Sequence, residues 1–202
     1  MAIDSILARL LANNAQWAED VEKTEPGFFT ECAKGQSPKV LWIGCADSRV
    51  PESVLSVSKP GDIFVHRNIA NQVNLTDDNI LSVLTYAIDH LGVSHVIVVG
   101  HTQCGGAAAC HAAAHAATSV GPPSTPLERW LAPLTAIAKD TGCDVSQLVV
   151  ENVRAQVQNV VKSETVRGAW ARGKDLQVHG WVYEIEQGQL RDLGISVGKN
   201  NA

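Results

Sequence analysis

Three short runs of the chain, residues 39–44 (KVLWIG), 62–67 (DIFVHR) and 95–100 (HVIVVG), are nearly continuously apolar and rich in β-branched residues. That pattern predicts strands buried on both faces, since a strand with one wet face alternates apolar and polar positions. Between the second and third runs, Ile80, Leu81, Leu84, Ile88 and Leu91 recur at helical spacing, with Thr76 and Asn79 at the start and Gly92 at the end. A helix between two such strands predicts a parallel crossover. Upstream, Ile3, Ile6, Leu7, Leu10, Leu11 and Trp17 lie at helical spacing among Arg9, Asn13, Glu19 and Asp20. This predicts an amphipathic N-terminal helical arm over residues 1–30, whose apolar face must pack on its own domain or on a second subunit.

Beyond the Pro/Gly/Ser loop at residues 119–126 the helical period returns twice, first with Trp130, Leu131, Leu134 and Ile137, then with Leu148, Val149, Val153, Val157, Val160 and Val161. The tail alternates Leu176, Val178, Trp181, Tyr183 and Ile185 around Gly180. It predicts a strand with a bulge at the glycine and a turn at Gln187 and Gly188. Together these elements predict one α/β domain over residues 1–202, with a mainly parallel central sheet flanked by helices.

Composition narrows the function. At 202 residues the chain suits a single sizeable core. A net charge of -5 with no dense Lys/Arg stripe argues against nucleic acid as a partner. No apolar stretch approaches the roughly 20 residues that span a bilayer, so no membrane partner is expected. The N-terminus carries acids and lacks a basic start and a small-residue cleavage site, which gives a cytoplasmic expectation. Five cysteines, Cys32, Cys45, Cys104, Cys110 and Cys143, form an odd set that favours thiols and metal binding over a disulfide framework. Cys32, Cys110 and Cys143 read as small fillers.

Cys45 ends the first strand run, in CADSR, while His101 and Cys104 follow the third, in GHTQCGG. Open parallel sheets place functional groups beyond the carboxyl ends of their strands, so these three donors can converge. Two thiolates and an imidazole suit zinc, with the fourth position open in a catalytic site. Asp47 either takes that position or stands beside it, and Arg49 can hold its carboxylate bidentately and keep it off the metal. A permanently bound Asp47 would instead make the site structural. A different chemistry, Cys104 as a nucleophile activated by His101, uses the same residues, and metal analysis separates the two. His111 and His115, four apart, can bridge a metal or simply line a solvated helix face; no spacing recruits His66, His90, His95 or His179.

CADSR, HRNIAN and GHTQCGG resemble the motifs of the β-class carbonic anhydrases, whose zinc ligands lie in Cys-x-Asp-x-Arg and His-x-x-Cys. The resemblance extends through CAKGQSPKV, PESVL, PGDIFVHRNIAN, TYAIDHLGV and GWVYEIEQGQLRDL, covering most of residues 30–195. It implies one zinc per chain on Cys45, His101 and Cys104, with Asp47 and Arg49 as the gating and proton-handling pair. The implied reaction is reversible hydration of CO2 to bicarbonate and a proton, by attack of zinc-bound hydroxide; CS2 or COS could use the same attacking group. Gln36, Phe64, Ile69, Tyr86 and Gly105 match substrate-pocket positions, several of them contributed across a dimer interface, so a homodimer or higher homo-oligomer is expected. Some members carry an inhibitory bicarbonate pocket of tryptophan, arginine and tyrosine, for which Trp42, Arg67 and Tyr86 stand at the matching places. Two thiolates offset the charge of the ion, so activity is expected to rise toward mildly alkaline pH.

Overall fold

The computed structural model describes residues 5–116 and 121–201, so Ile3 of the expected first helix and the start of the loop at 119–126 lie outside the described residues. The chain divides into two compact units, Met1–Gln36 and Ser37–Ala202. The first contains α1 (Ser5–Thr24) and α2 (Phe28–Cys32), joined through Gly27 in a left-handed conformation. Its boundary falls at Gln36 rather than at residue 30 because α2 packs back on α1, with Trp17 edge-on to Phe29 at 5.4 Å. The apolar face of α1, with Leu7, Leu10, Leu11 and Trp17, is exposed within this unit.

The second unit carries β1 (Val40–Cys45), β2 (Ile63–Asn68), β3 (His95–His101), β4 (Gln177–Glu184), β5 (Gln189–Asp192) and β6 (Val197–Gly198). Their order in the sheet is β2-β1-β3-β4-β5, with β6 also paired to β4. The first four are parallel, and β5 and β6 fold back antiparallel on β4. The three apolar runs are therefore the expected buried strands, and the sheet is mainly parallel.

Six helices belong to this unit among the described residues: α3 (Glu52–Leu55), α4 (Asp78–Thr85), α5 (Gly105–Ala114), α6 (Pro126–Thr141), α7 (Val145–Lys162) and α8 (Glu164–Ala171). The expected crossover helix is α4, prolonged by a wider π turn over Tyr86–Leu91 that ends at left-handed Gly92. Asp77, not Thr76, caps it, accepting from the Asn79 N–H at 3.0 Å, while Thr76 belongs to the preceding turn and bonds Asn74. α6 starts with Pro126 behind a Thr125–Glu128 capping box.

Alternation along β1 sorts its side chains. Leu41, Ile43 and Cys45 enter the main core with the buried faces of α4 to α8, whereas Trp42 joins Ile97 and Val99 in a second cluster on the other face. The bulge expected at Gly180 is not in β4, which pairs with β3 in unbroken register, Val98 opposite Gly180. The irregularity sits on the partner strand: Asp192 pairs with Trp181 and Val197 with Val178, so residues 193–196 face only residues 179–180. Gly180 is needed instead for space, since a Cβ there would lie 2.5 Å from Ile195 Cδ1 and 2.9 Å from Val153 Cγ1.

Gly100 is under the same constraint from α7, with a Cβ 2.7 Å from Val153 Cγ2 and 3.3 Å from Val149 Cγ1. Gly100→Ala should therefore destabilise the protein by about 1–3 kcal/mol in chemical denaturation. Adding Val153→Ala to that variant should recover part of the loss, because the two sites share one space.

Candidate active site

β1 and β3 are adjacent and parallel, so the chain leaves both at the same end of the sheet. Cys45 is the last residue of β1 and His101 the last of β3, while Cys104 caps the N-terminus of α5. Their donor atoms lie within 4.8 Å of one another, all three residues are buried, and no other set of three or more such side chains gathers among the described residues. His111 and His115 stack on each other at 4.3 Å but recruit no third donor.

His101 is 1% exposed, and its Nδ1–H donates to the Thr102 carbonyl at 2.8 Å. That bond fixes the tautomer and leaves the Nε2 lone pair free. Nε2 is buried with no hydrogen-bond partner. A buried orphan acceptor is costly unless something electrophilic occupies the position it faces. Burial works against protonating this imidazole, yet the adjacent Cys45 thiolate outweighs it and moves the pKa upward.

The two sulfurs are close enough for one thiol to share its proton with the other sulfur. A hydrogen bond from Cys104 is the main cause that pulls Cys45 down to about 4, against its burial, with help from His101 and from the backbone N–H groups of Asp47 and Ala70. The same bond, then burial, pushes Cys104 up. A soft divalent cation can replace that shared proton and accept the orphan imidazole, so this donor set fits zinc.

Asp47 stands at the edge of the cluster and is turned away from it. Arg49 grips it bidentately, Nε to Oδ1 at 3.0 Å and Nη2 to Oδ2 at 2.7 Å, and the Arg49 backbone N–H adds a third bond at 2.9 Å. Asp47 Oδ2 remains 3.8 Å from His101 Nε2. Arg49 holds the Asp47 carboxyl well below the usual carboxylate range. Because the folded pKa is depressed, the stabilisation from this pair is present above the ordinary carboxylate pKa and is lost only as pH falls through the folded value. Across the neutral range the latch stays shut.

Several residues hold these groups in a role that the sequence did not assign to them. Arg67 donates through Nε to the Cys45 carbonyl at 2.7 Å and through Nη2 to the Asp47 carbonyl, tying the first ligand loop to β2. Glu186, beyond β4, accepts from Thr102 Oγ1 at 2.6 Å and Gln103 Nε2 at 2.8 Å. It thereby secures the second loop, in which Gln103 has a positive φ of 54° and offers its carbonyl to Arg49 at 3.0 Å. Ala70 and Asn71, at φ 60° and 47°, are also left-handed, at a cost of about 1–3 kcal/mol for each such residue. The amides of α7 that hold them lie within an otherwise apolar stripe; that break in pattern was their signal in the sequence.

The expected pocket residues divide. Ile69 follows β2, with Cγ2 3.4 Å from where a Gly106 side chain would start, so it borders the first turn of α5 beside Cys104. Gly105 opens that helix with free space over its Cα. Phe64 and Tyr86 stack on each other at 5.8 Å, but Phe64 lies four residues before Asn68, the register partner of Cys45. At about 3.3 Å per residue that is roughly 13 Å along the strand from the donor cluster of the same chain. Gln36 is exposed at the end of the N-terminal unit.

Trp42, Arg67 and Tyr86 do not form one pocket within the chain. Trp42 is in the second cluster on one face of the sheet, whereas Tyr86 stacks on Phe64, which packs against the main core on the other. The Arg67 guanidinium is meanwhile engaged with two carbonyls and lies 3.8 Å from Glu52.

The profile of the carbonic anhydrase family matches residues 40–190. A carbonic anhydrase of Emericella nidulans is 36% identical over 93% of this chain and 83% of its own length, and one from Saccharomyces cerevisiae is 34% identical over 94% and 90%. Among solved structures, a tetrameric β-carbonic anhydrase of Sordaria macrospora superposes with a TM-score of 0.87 at 37% identity, covering 96% of this chain and all of that one. A Coccomyxa β-carbonic anhydrase in complex with acetazolamide gives 0.85 at 35% identity, over 96% of this chain and 89% of that one. The chain belongs to the carbonic anhydrase family, in its β class. It is a zinc enzyme that catalyses the reversible hydration of CO2 to bicarbonate and a proton.

The shared proton gives a direct test of the cluster. Zinc added to chelator-stripped protein at pH 8 should release about one proton per ion from the sulfur pair, read by calorimetry in two buffers of different ionisation enthalpy. No proton release would mean that the cation binds elsewhere.

Proposed function

We propose that Cys45, His101 and Cys104 are the zinc ligands, and that Asp47 and Arg49 handle the proton and gate the open position. The observation that carries this reading is the buried, unpartnered His101 Nε2 facing two sulfurs, with Asp47 drawn aside by Arg49. Zinc held there supplies Lewis acidity, which acidifies water and polarises oxygen near neutral pH.

The chain's own groups do the rest. Asp47, kept ionised by Arg49, accepts a hydrogen bond from water at the open position and orients its lone pair toward CO2. Ile69 borders the first turn of α5, and the Gly105 N–H, at the start of that helix, is assigned as a donor to a developing anion. The distance of the Phe64–Tyr86 stack from its own ligands supports its use in the site of a second copy, and the tetrameric Sordaria relative supports a homo-oligomer. Five free thiols suit a reducing compartment such as the cytoplasm. The alternative, Cys104 as a nucleophile, is disfavoured because Cys104 is buried inside a set of three metal donors rather than exposed to a substrate.

Stopped-flow CO2 hydration with parallel zinc quantification tests the assignment. Cys104→Ser should lose both zinc and turnover; a full equivalent of zinc with normal rates would remove Cys104 from the ligand set. Asp47→Ala should keep its zinc while turnover drops by about 10²-fold or more. The wild-type rate should rise toward mildly alkaline pH, and a profile flat down to pH 6 would count against two thiolate ligands.

A further inference from the structure

α7 presents Leu148, Val149, Val153, Val157 and Val160 to the core, and on the same buried surface it carries Asn152 and Gln156, which are 3% and 2% exposed. Helix packing has no use for buried amides where Leu or Met would serve, so their partners matter. Asn152 Nδ2 donates to the Ala70 carbonyl at 2.9 Å, and Asn152 Oδ1 accepts from Gln72 Nε2 at 2.7 Å and Gln156 Nε2 at 3.0 Å. Gln72 Nε2 also donates to the Ala70 carbonyl at 2.7 Å. Gln156 Oε1 accepts the Val73 N–H at 2.8 Å, and Asn159 Nδ2 donates to the Val73 carbonyl at 2.9 Å. From the strand side, Asn68 binds both the N–H and the C=O of Gln72.

The segment so clamped, residues 69–73, contains left-handed Ala70 and Asn71, neither of them glycine. It touches both halves of the metal centre. Asn68, the residue just before it, is the register partner of Cys45, and its carbonyl accepts the Ala46 N–H at 2.8 Å. The Ala70 Cβ sits 3.0 Å from where a side chain on Gly106 would begin, in the first turn of the helix capped by Cys104.

We infer that Asn152 and Gln156 are positioning residues of the zinc site, holding Ala70 in left-handed backbone between the strand end that bears Cys45 and the first turn of the helix capped by Cys104. This rests on Cys45 being a ligand. Fixing that backbone keeps the two sulfurs and the imidazole close enough for one ion to bridge, so loss of the clamp weakens zinc binding. The clamp thus acts on the metal through the backbone of a residue that has no functional group of its own.

The test uses full-length Asn152→Ala and Gln156→Ala, the latter removing only the outer rung should the former not fold. Zinc affinity is measured by chelator competition, the thiolate-to-metal absorption band is recorded on the cobalt-substituted protein, and Ala70 amide exchange is followed by NMR in the zinc-free protein. Each variant should bind zinc about 10- to 100-fold more weakly, with a shifted cobalt band and a faster-exchanging Ala70 amide. Ala70→Gly added to either variant should restore most of the affinity and the band, because glycine adopts positive φ without a clamp. Folded variants with wild-type affinity and spectrum would overturn the proposal. So would a loss that Ala70→Gly fails to restore, since that marks a packing role. A Cys45→Ser control separates the two readings: if it still binds zinc normally, the ligand assignment fails, independently of the clamp.

Discussion

The parallel pairing of β1 with β3, Gly44 opposite Val99, is the constraint from which the site follows. It brings Cys45 and His101 off the sheet side by side and leaves a three-residue path to Cys104 at the head of α5. Nothing local to either motif could do this, since each supplies only part of the donor set. The close approach of α7 to these strands is visible at Gly100 and Gly180, where Val153 occupies space that a side chain would need.

Around that convergence, the two ligand loops are stabilised from a distance and in opposite styles. The first is tied by a cation, Arg67, to carbonyls on either side of Ala46, and its neighbour at residues 69–73 is tied by neutral amides inside the core. The second is tied by an anion, Glu186, at the surface. Arg49 connects the two, with one donor group shared between Asp47 and the Gln103 carbonyl. The orientation of Asp47 is thus coupled to both loops, and the electrostatic latch survives at any pH where carboxylates are ordinarily ionised.

Most of the sheet was legible because buried parallel strands advertise themselves as unbroken apolar runs, and the convergence of the three donors because two of them end strands and the third follows closely. The details that escaped follow from interactions between distant segments. A bulge was read at Gly180 because glycine in a strand often marks one, but here it makes room for Val153 and Ile195, and the extra residues lie across the ladder. Thr76 was read as a helix start, although the acceptor that binds the Asn79 amide is Asp77. Trp42, Arg67 and Tyr86 look like a set in one dimension, yet alternation along the sheet and the stacking of Tyr86 on Phe64 put them on different surfaces. Ala70 could not be foreseen as left-handed, since its conformation is imposed by side chains some eighty positions away.

The two sulfurs and the imidazole also bear on how the polypeptide matures. His101 and Cys104 are near neighbours in the unfolded chain, but Cys45 joins them only after β1 has docked against β3. Of this set a nascent chain therefore offers an ion two neighbouring donors, while the completed sheet brings all three together. Tight capture becomes a report that the central strands have assembled, and the ion, once seated, resists their separation.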